Sequence, residues 1–352
     1  MASFKSLTRR TAVKGLMAGA VGAIAAPAYI RSAWAQHKQL VVADFPGSVR
    51  DARRKVLYDP FTKETGIEII HGEGPSLAAV KVQVENKDVV WDVIRMDGSF
   101  AHSAAGLGLL ERVDETIVNR EGAIAASMHE FAVGTSISAA GIAFPTDRLQ
   151  GKAPQTWPEF WDAEKFPGRR GLRDRITDTL EIALMGDGVP ASQVYPCDIE
   201  RAFKALEKIK PQVSLWIAGA AETVSHIQQN ETDFTATYTS RVKSMQEANV
   251  PMDFSFKQNV LGVGYWAALK GAKNLDAAMR FMAFTMREDR QIELAALTVD
   301  TPVFNSAMAK LDPAVMKWMP DINSPDNLFV DPTWWDGHLE ELTLRFQTWL
   351  LT

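Results

Sequence analysis

The sequence predicts an α/β fold divided into two lobes, and three observations carry that prediction. A strand–turn–helix–strand pattern opens the chain once its first 35 residues are set aside. Several later apolar runs end in small polar residues, as the strands of a mostly parallel sheet do. The 317 residues that follow Ala35 also exceed the ~250–300 that a single core usually serves.

Residues 1–35 are excluded from the fold by their own pattern. Arg9-Arg10 precedes an almost uncharged, Gly- and Ala-rich run to Ile30. That run is short for a membrane span, which takes ~20 apolar residues. Ala33-Trp34-Ala35 has the small-x-small form read by a signal peptidase. Arg9-Arg10 with Thr-Ala-Val-Lys behind it resembles a twin-arginine export signal, which is an address rather than an anchor. An ordinary secretory signal is the alternative, but weak hydrophobicity and Lys14 favour the twin-arginine type. The expected location is the periplasm, with the signal removed near Ala35. This segment holds five of the 38 basic residues and none of the 43 acidic ones, leaving 33 against 43, a net of −10. Such a balance argues against nucleic acid or an anionic membrane as partner.

The elements follow in order. Leu40–Ala43 reads as a buried strand that ends at Asp44-Phe45-Pro46-Gly47-Ser48. Val49 to Thr65 has helical spacing and stops at Gly66, and Ile67–Ile70 is a second strand. Ala78–Glu85 reads as a helix, Trp91–Ile94 as a strand, and the stretch after Asp97-Gly98-Ser99 as a helix reaching Leu110. Ser138–Phe144 is a strand preceded by a loop holding Thr135 and Ser136. The Trp- and Pro-rich stretch Pro154–Gly171 reads as a surface connection. Thr177–Met185 and Ile199–Lys208 read as helices, Phe234–Tyr238 and Val260–Leu269 as strands, and Leu275–Leu297 as one or two helices.

Ligands of open α/β sheets bind beyond the carboxyl ends of strands, where loops and helix N-termini offer backbone N–H groups. Candidate ends are Gly47-Ser48, Asp97-Gly98-Ser99, Thr135-Ser136 and Thr239-Ser240-Arg241. Each taken alone is equally a turn or a helix cap; four in one chain point to a shared cleft.

Other chemistries find little support. The lone Cys197 forms no internal disulfide and excludes CxxC redox, CxxCH haem and iron–sulfur chemistry; it reads as a buried bystander. The six histidines are scattered without HExxH or HxH spacing, and GxSxG, GxGxxG and P-loop motifs are absent. Neither a metal nor another cofactor is expected, nor is an enzyme.

Asp59–Ile67 (DPFTKETGI) resembles the first helix of the extracellular solute-binding proteins of ABC importers, most nearly the spermidine/putrescine-binding type. Val90–Ser99, Gly106–Asp114, Thr156–Leu172, Thr232–Val242, Trp266–Phe284 and Trp334–Leu350 extend the resemblance in family order over nearly the whole chain. It implies a two-lobed, type II periplasmic-binding-protein clamshell with a mixed, mostly parallel sheet in each lobe. Lobe 1 would take 36–142 plus 268–330, lobe 2 would take 143–267, and 331–352 would form a final helix packing across both. A monomer would close on a small ligand and dock on a permease and ATPase complex of the inner membrane. A receptor handing the closed form to a signalling protein is the rival role.

The ligand is less plainly written. Polyamine binders use aromatic walls and terminal carboxylates. Here the strand end that carries Trp in those proteins reads Tyr238, followed by Arg241. The Trp-x-Asp position reads Leu261-Gly262-Val263-Gly264. The paired acids read Arg175 and Asp178. Arginine is a bidentate receptor for carboxylate, so a polyamine and an anion-bearing amino acid or organic acid both stay open. The residues expected at the ligand are Gly47, Ser48, Asp97, Ser99, Thr135, Ser136, Arg175, Asp178, Tyr238, Arg241, Tyr265 and Thr301. Trp216 is a candidate wall, though a core role fits it better. Trp334 and Trp335 are expected to pin the last helix.

Overall fold

The computed structural model describes residues 39–149 and 152–352; the segment expected to be an export signal, with its expected cleavage point near Ala35, lies outside the described residues. β1 (Gln39–Asp44) leads through Gly47 into α1 (Ser48–Arg53), a π-helical turn (Arg54–Tyr58) and α2 (Asp59–Thr65). Gly66 ends this helix in the left-handed region (φ 69°), its N–H donating to the Thr62 carbonyl at 2.8 Å. β2 (Glu68–Glu73), α3 (Leu77–Glu85), β3 (Val93–Asp97) and α4 (Gly98–Gly106) follow. Then come β4 (Val133–Pro145), α5 (Trp157–Trp161), β5 (Arg170–Arg173), α6 (Thr179–Gly186), α7 (Ile199–Ile209), β6 (Val213–Ile217) and α8 (Glu222–Gln228). After β7 (Phe234–Tyr238) come α9 (Thr239–Glu247), β8 (Met252–Phe254), β9 (Val260–Ala268), α10 (Leu275–Thr285) and α11 (Glu288–Thr298). The chain ends with β10 (Thr301–Pro302), α12 (Asn305–Met308), α13 (Pro313–Met316), β11 (Leu328–Phe329), α14 (Pro332–Trp335) and α15 (Leu339–Leu350).

The sheet is mixed, with main order β2-β1-β3-β9-β4-β7-β5-β6. β1 runs parallel to β2 and β3, and β5 runs parallel to β6 and β7. Between these two parallel parts lie the long strands β4 and β9, antiparallel to each other and to β7 and β3 respectively. One part is packed by Tyr58, Phe61, Trp266, Phe281 and Met282 on one face and by Ile94, Phe100, Ala104 and Tyr265 on the other. The other part is packed by Trp157, Phe160, Leu180, Leu206 and Phe234, and also takes Trp335, Leu342 and Phe346 from the C-terminal helices.

Three expectations need correction. The stretch from Pro154 to Gly171 is not a surface connection: Trp157 and Phe160 are fully buried in α5, and buried Arg170 begins β5. Arg170 organises this segment by donating to the carbonyls of Phe160 (2.8 Å), Phe166 (2.6 Å) and Gly168 (2.6 Å). Thr135 and Ser136 lie inside β4, not in a loop before it. The sequence GTSIS lacks an apolar run, but it is paired with β9 on one side and β10 on the other, with a bulge between Gly134 and Ser136. The helix after Asp97 stops at Gly106, short of Leu110, because Gly108 takes a positive φ of 70° that turns the chain.

Candidate functional site

The floor of the cleft is laid by β4 and β9, where they run between the two parallel parts of the sheet. Ser136 pairs with Gly264 and Ser138 with Gly262, so small side chains leave room above both strands. Strand ends and their following loops supply the walls. A cavity of about 250 Å³ opens there, lined by Asp97, Ser99, His102, Asp178, Gly262 and Tyr265 among others.

One end of the cleft is acidic. Arg175 donates to the Tyr238 hydroxyl (2.7 Å), pairs with Asp178, and stands 3.4 Å from Asp97. The Tyr238 hydroxyl also donates to Asp178 (2.6 Å). Burial works against charge on Arg175, but Asp178, Tyr238 and Asp97 raise its pKa well above the ordinary value. Burial likewise opposes charge on Asp178, and Arg175 and Tyr238 overcome it to hold this carboxyl below its usual range. Two carboxylates therefore face the Arg175 guanidinium, and Arg173, bonded to the Ile217 and Ala218 carbonyls, adds to the pull on Asp178. Asp97 also caps α4 through the Phe100 N–H (2.9 Å), which fixes its place at the end of β3. Tyr265 is buried, its hydroxyl donating to the Ala126 carbonyl (2.9 Å) while its ring lines the cavity.

A basic cluster lies near it, outside the lining of that cavity. Arg53 donates to both oxygens of Asp44 (2.8 and 3.0 Å), and Tyr58 donates to the same carboxylate (2.7 Å). Arg95 donates to Ser136 (3.0 Å) and lies over the Trp266 ring, 5.4 Å from its centroid. Arg241 reaches from α9 to Ser48 (3.2 Å). A Cβ on Gly47, whose φ is 112°, would stand 2.7 Å from the Arg241 guanidinium, so Arg241 packs where only glycine fits. Asp300 is buried and acts electrostatically on Arg53, Arg95 and Arg241; burial raises its pKa against their pull. Burial, with Arg53 adding repulsion, lowers Arg241 and brings Arg95 down to about 9.

The structure thus gathers Asp97, Arg175, Asp178 and Tyr238 in one cluster, with Ser99 and Tyr265 lining the cavity beside it. Gly47, Ser48, Ser136 and Arg241 gather in the other. Of the expected residues, Asp97, Ser99, Asp178 and Tyr265 line the cavity; Gly47, Ser48, Ser136, Arg175, Tyr238 and Arg241 stand outside its lining, as do Thr135 and Thr301, buried on β4 and β10. Trp216 stands apart, packed edge-on against Phe346 and Trp349 of α15, so it is a core residue. Sequence reasoning missed Arg53, Arg95 and His102. The signal for Arg95 was present: an arginine inside the apolar run VIRMD, two residues before Asp97. Cys197 is buried, and burial pushes its thiol pKa well up, which fits a bystander.

Comparison with known proteins sets this site in a family. Residues 57–320 match the model of the bacterial extracellular solute-binding proteins. The gamma-aminobutyric acid-binding protein of Pseudomonas aeruginosa is 30% identical over 333 residues, 92% of this chain and 94% of that protein. The periplasmic binding protein AgtB of A. tumefaciens R10, solved in complex with agropinic acid, superposes with a TM-score of 0.83 at 30% identity, covering 90% of this chain and 99% of that one. The spermidine/putrescine-binding periplasmic protein of Escherichia coli is 22% identical over 268 residues, 72% of this chain and 75% of that protein. The chain belongs to the bacterial extracellular solute-binding protein family. It is a solute-binding protein of the kind that serves ABC transporters, and the family is one of binding proteins rather than enzymes.

Proposed function

We propose that the chain captures a small solute bearing both an amine and a carboxylate in the cleft over β4 and β9, and delivers it to an ABC permease and its ATPase. The observation that carries this reading is the opposed charge of the two ends. Asp97 and Asp178 meet Arg175 at one, where Arg173 also acts on Asp178 but gives its donors to the Ile217 and Ala218 carbonyls, while Arg53, Arg95 and Arg241 outnumber Asp44 and Asp300 at the other. A zwitterion satisfies both ends at once; a polyamine brings a cation to the basic end and meets no aromatic side chain at Gly262 or Gly264. Relatives binding gamma-aminobutyric acid and agropinic acid support the same class. A polyamine is the second reading, favoured by the spermidine/putrescine-binding relatives.

In this reading Asp97, Asp178 and Tyr238 receive the ammonium, and Ser48, Ser136 and Arg241 face the carboxylate. The lobes are 36–142 plus 268–330 and 143–267, with 331–352 packed across them. Ligand favours the closed form only by binding it better than the open one. The protein acts as a periplasmic monomer, exported by the twin-arginine route and trimmed near Ala35.

The test is a binding panel on the exported protein: ω-amino acids, diamines and dicarboxylates, followed by thermal shift and calorimetry. A solute at about 100 times its dissociation constant adds ~2.7 kcal/mol to the folded state, a shift of several degrees. Tight binding of ω-amino acids, with weaker diamines and dicarboxylates, is the expected outcome. Binding of diamines alone returns the polyamine reading.

A further inference from the structure

We propose that Arg95 is the carboxylate receptor of the cleft. This rests on the reading of the solute as an amine that also carries a carboxylate. Arg95 was not among the residues expected at the ligand.

Arg95 is 6% exposed, yet its Nη1 makes no hydrogen bond among the described residues. Its Nη2 is used by Ser136 at 3.0 Å. Guanidinium groups are seldom buried with a donor left open, because the lost hydration has to be replaced by a partner. The neighbouring arginines are engaged differently. Arg53 is matched by both oxygens of Asp44, so that pair is neutral within itself. Arg241 is turned to Ser48. What remains is Arg95 and Arg241 around one carboxylate, Asp300. One positive charge is in excess, and a monoanion balances it.

The backbone is shaped for this arginine. Arg95 pairs with Trp266 on β9, but its guanidinium leans along the strand over Gly264, toward the end of β3 that bears Asp97. A Cβ at Gly264 would stand 1.8 Å from Nη2, so any side chain there would evict the guanidinium. The Trp266 ring holds the group from beneath. Arg95 and Asp97 are residues i and i+2, on one face of β3, so a carboxylate at the first and an ammonium at the second are met from the same side of the strand.

The test compares 4-aminobutanoate with 1,4-diaminobutane by calorimetry on the exported protein and its Arg95→Gln and Gly264→Ala variants. Arg95→Gln is expected to weaken 4-aminobutanoate by about 30-fold or more, the scale for stranding a buried charge partner, and to leave 1,4-diaminobutane within about threefold, a change of under 1 kcal/mol. Gly264→Ala keeps every charge and displaces only the guanidinium; the same selective loss is expected from it. If Arg95→Gln does not fold cooperatively, Gly264→Ala decides the matter. A 4-aminobutanoate affinity held within about threefold in a folded variant, or a parallel loss of both probes, makes Arg95 structural and overturns the inference while the zwitterion reading stands. Wild-type protein that binds 1,4-diaminobutane but no amine carboxylate overturns the reading itself, and the inference with it.

Discussion

Asp178 shows how much one residue is asked to do. It sits at φ 66° and ψ −41° ahead of α6, outside the left-handed helical region and sparsely populated by any side chain, so the backbone there is strained. From there its carboxylate accepts from Arg175 and Tyr238 at the acidic end of the cleft. Asp178→Asn keeps the size of the side chain and one acceptor, and removes the charge. Arg175 is then left with Asp97 at 3.4 Å as its carboxylate. We expect stability to fall by about 1–3 kcal/mol, the range for a charged hydrogen-bonded pair losing one partner, measured by urea unfolding. Amine affinity should fall at least tenfold in the same variant, because the acidic end loses one of its two carboxylates. Unchanged amine affinity would remove Asp178 from the ligand's contacts. This cluster was legible in the sequence because Arg175, Asp178 and Tyr238 stand at strand and helix junctions. Arg95 was overlooked although an arginine inside the apolar run VIRMD is unusual, because a strand interior by itself does not point to a ligand contact. Its close packing against Gly264 is what makes the arginine conspicuous in the fold.

At the scale of elements, α14 and α6 meet at a buried carboxyl. Glu181 is fully buried and accepts from the Trp335 indole (2.7 Å) and the Tyr195 hydroxyl (2.5 Å) through one oxygen, while the other makes no hydrogen bond among the described residues. Burial raises its pKa to about 7, Asp178 adds to the rise, and the bonds from Tyr195 and Trp335 oppose it. The folded state therefore holds a proton that the unfolded chain releases near the ordinary glutamate value of 4.5. Stability must then fall as pH rises from about 4.5 to about 7, by roughly 3 kcal/mol in all. Glu181→Gln keeps an acceptor for the indole and cannot ionise. Its melting temperature should exceed that of the wild type at pH 8 and approach it at pH 5. Equal differences at both pH values would show that Glu181 does not titrate in this window. The double tryptophan was recognised in the sequence as the pin of the last helix, and Trp335 is fully buried. Its acceptor was not recognised, since Glu181 in TLEIALMG reads as the polar side of a helix that in fact is buried all round. β5 and β6 were missed for a related reason: RGLR and VSLWI are too short and mixed to show a period, and they are strands because β5 pairs with β7 and β6 with β5.

Across the whole molecule, the α/β class was legible because the opening strand–helix–strand pattern and the strand Phe234–Tyr238 carry strong local signals. The way β9 inserts between β3 and β4 was not, because no local pattern encodes which distant strands pair. The two-lobed reading therefore leaned on resemblance in the order of motifs. The export reading rests on the whole chain in another sense. The chain has one cysteine, so no internal disulfide waits on an oxidising compartment. In the export route proposed above, the protein would complete its fold before crossing a membrane, which is the situation a twin-arginine address serves. Replacing Arg9 and Arg10 together by Lys keeps the charge of the segment and changes only the groups a receptor reads. If the segment acted through charge alone, export would continue. We expect instead that the substituted precursor accumulates in the cytoplasm, seen by cell fractionation, and that it binds its solute there because folding did not depend on export. Normal processing of the substituted chain would assign it to the general secretory route, and a cytoplasmic precursor that fails to bind would show that folding requires the periplasm.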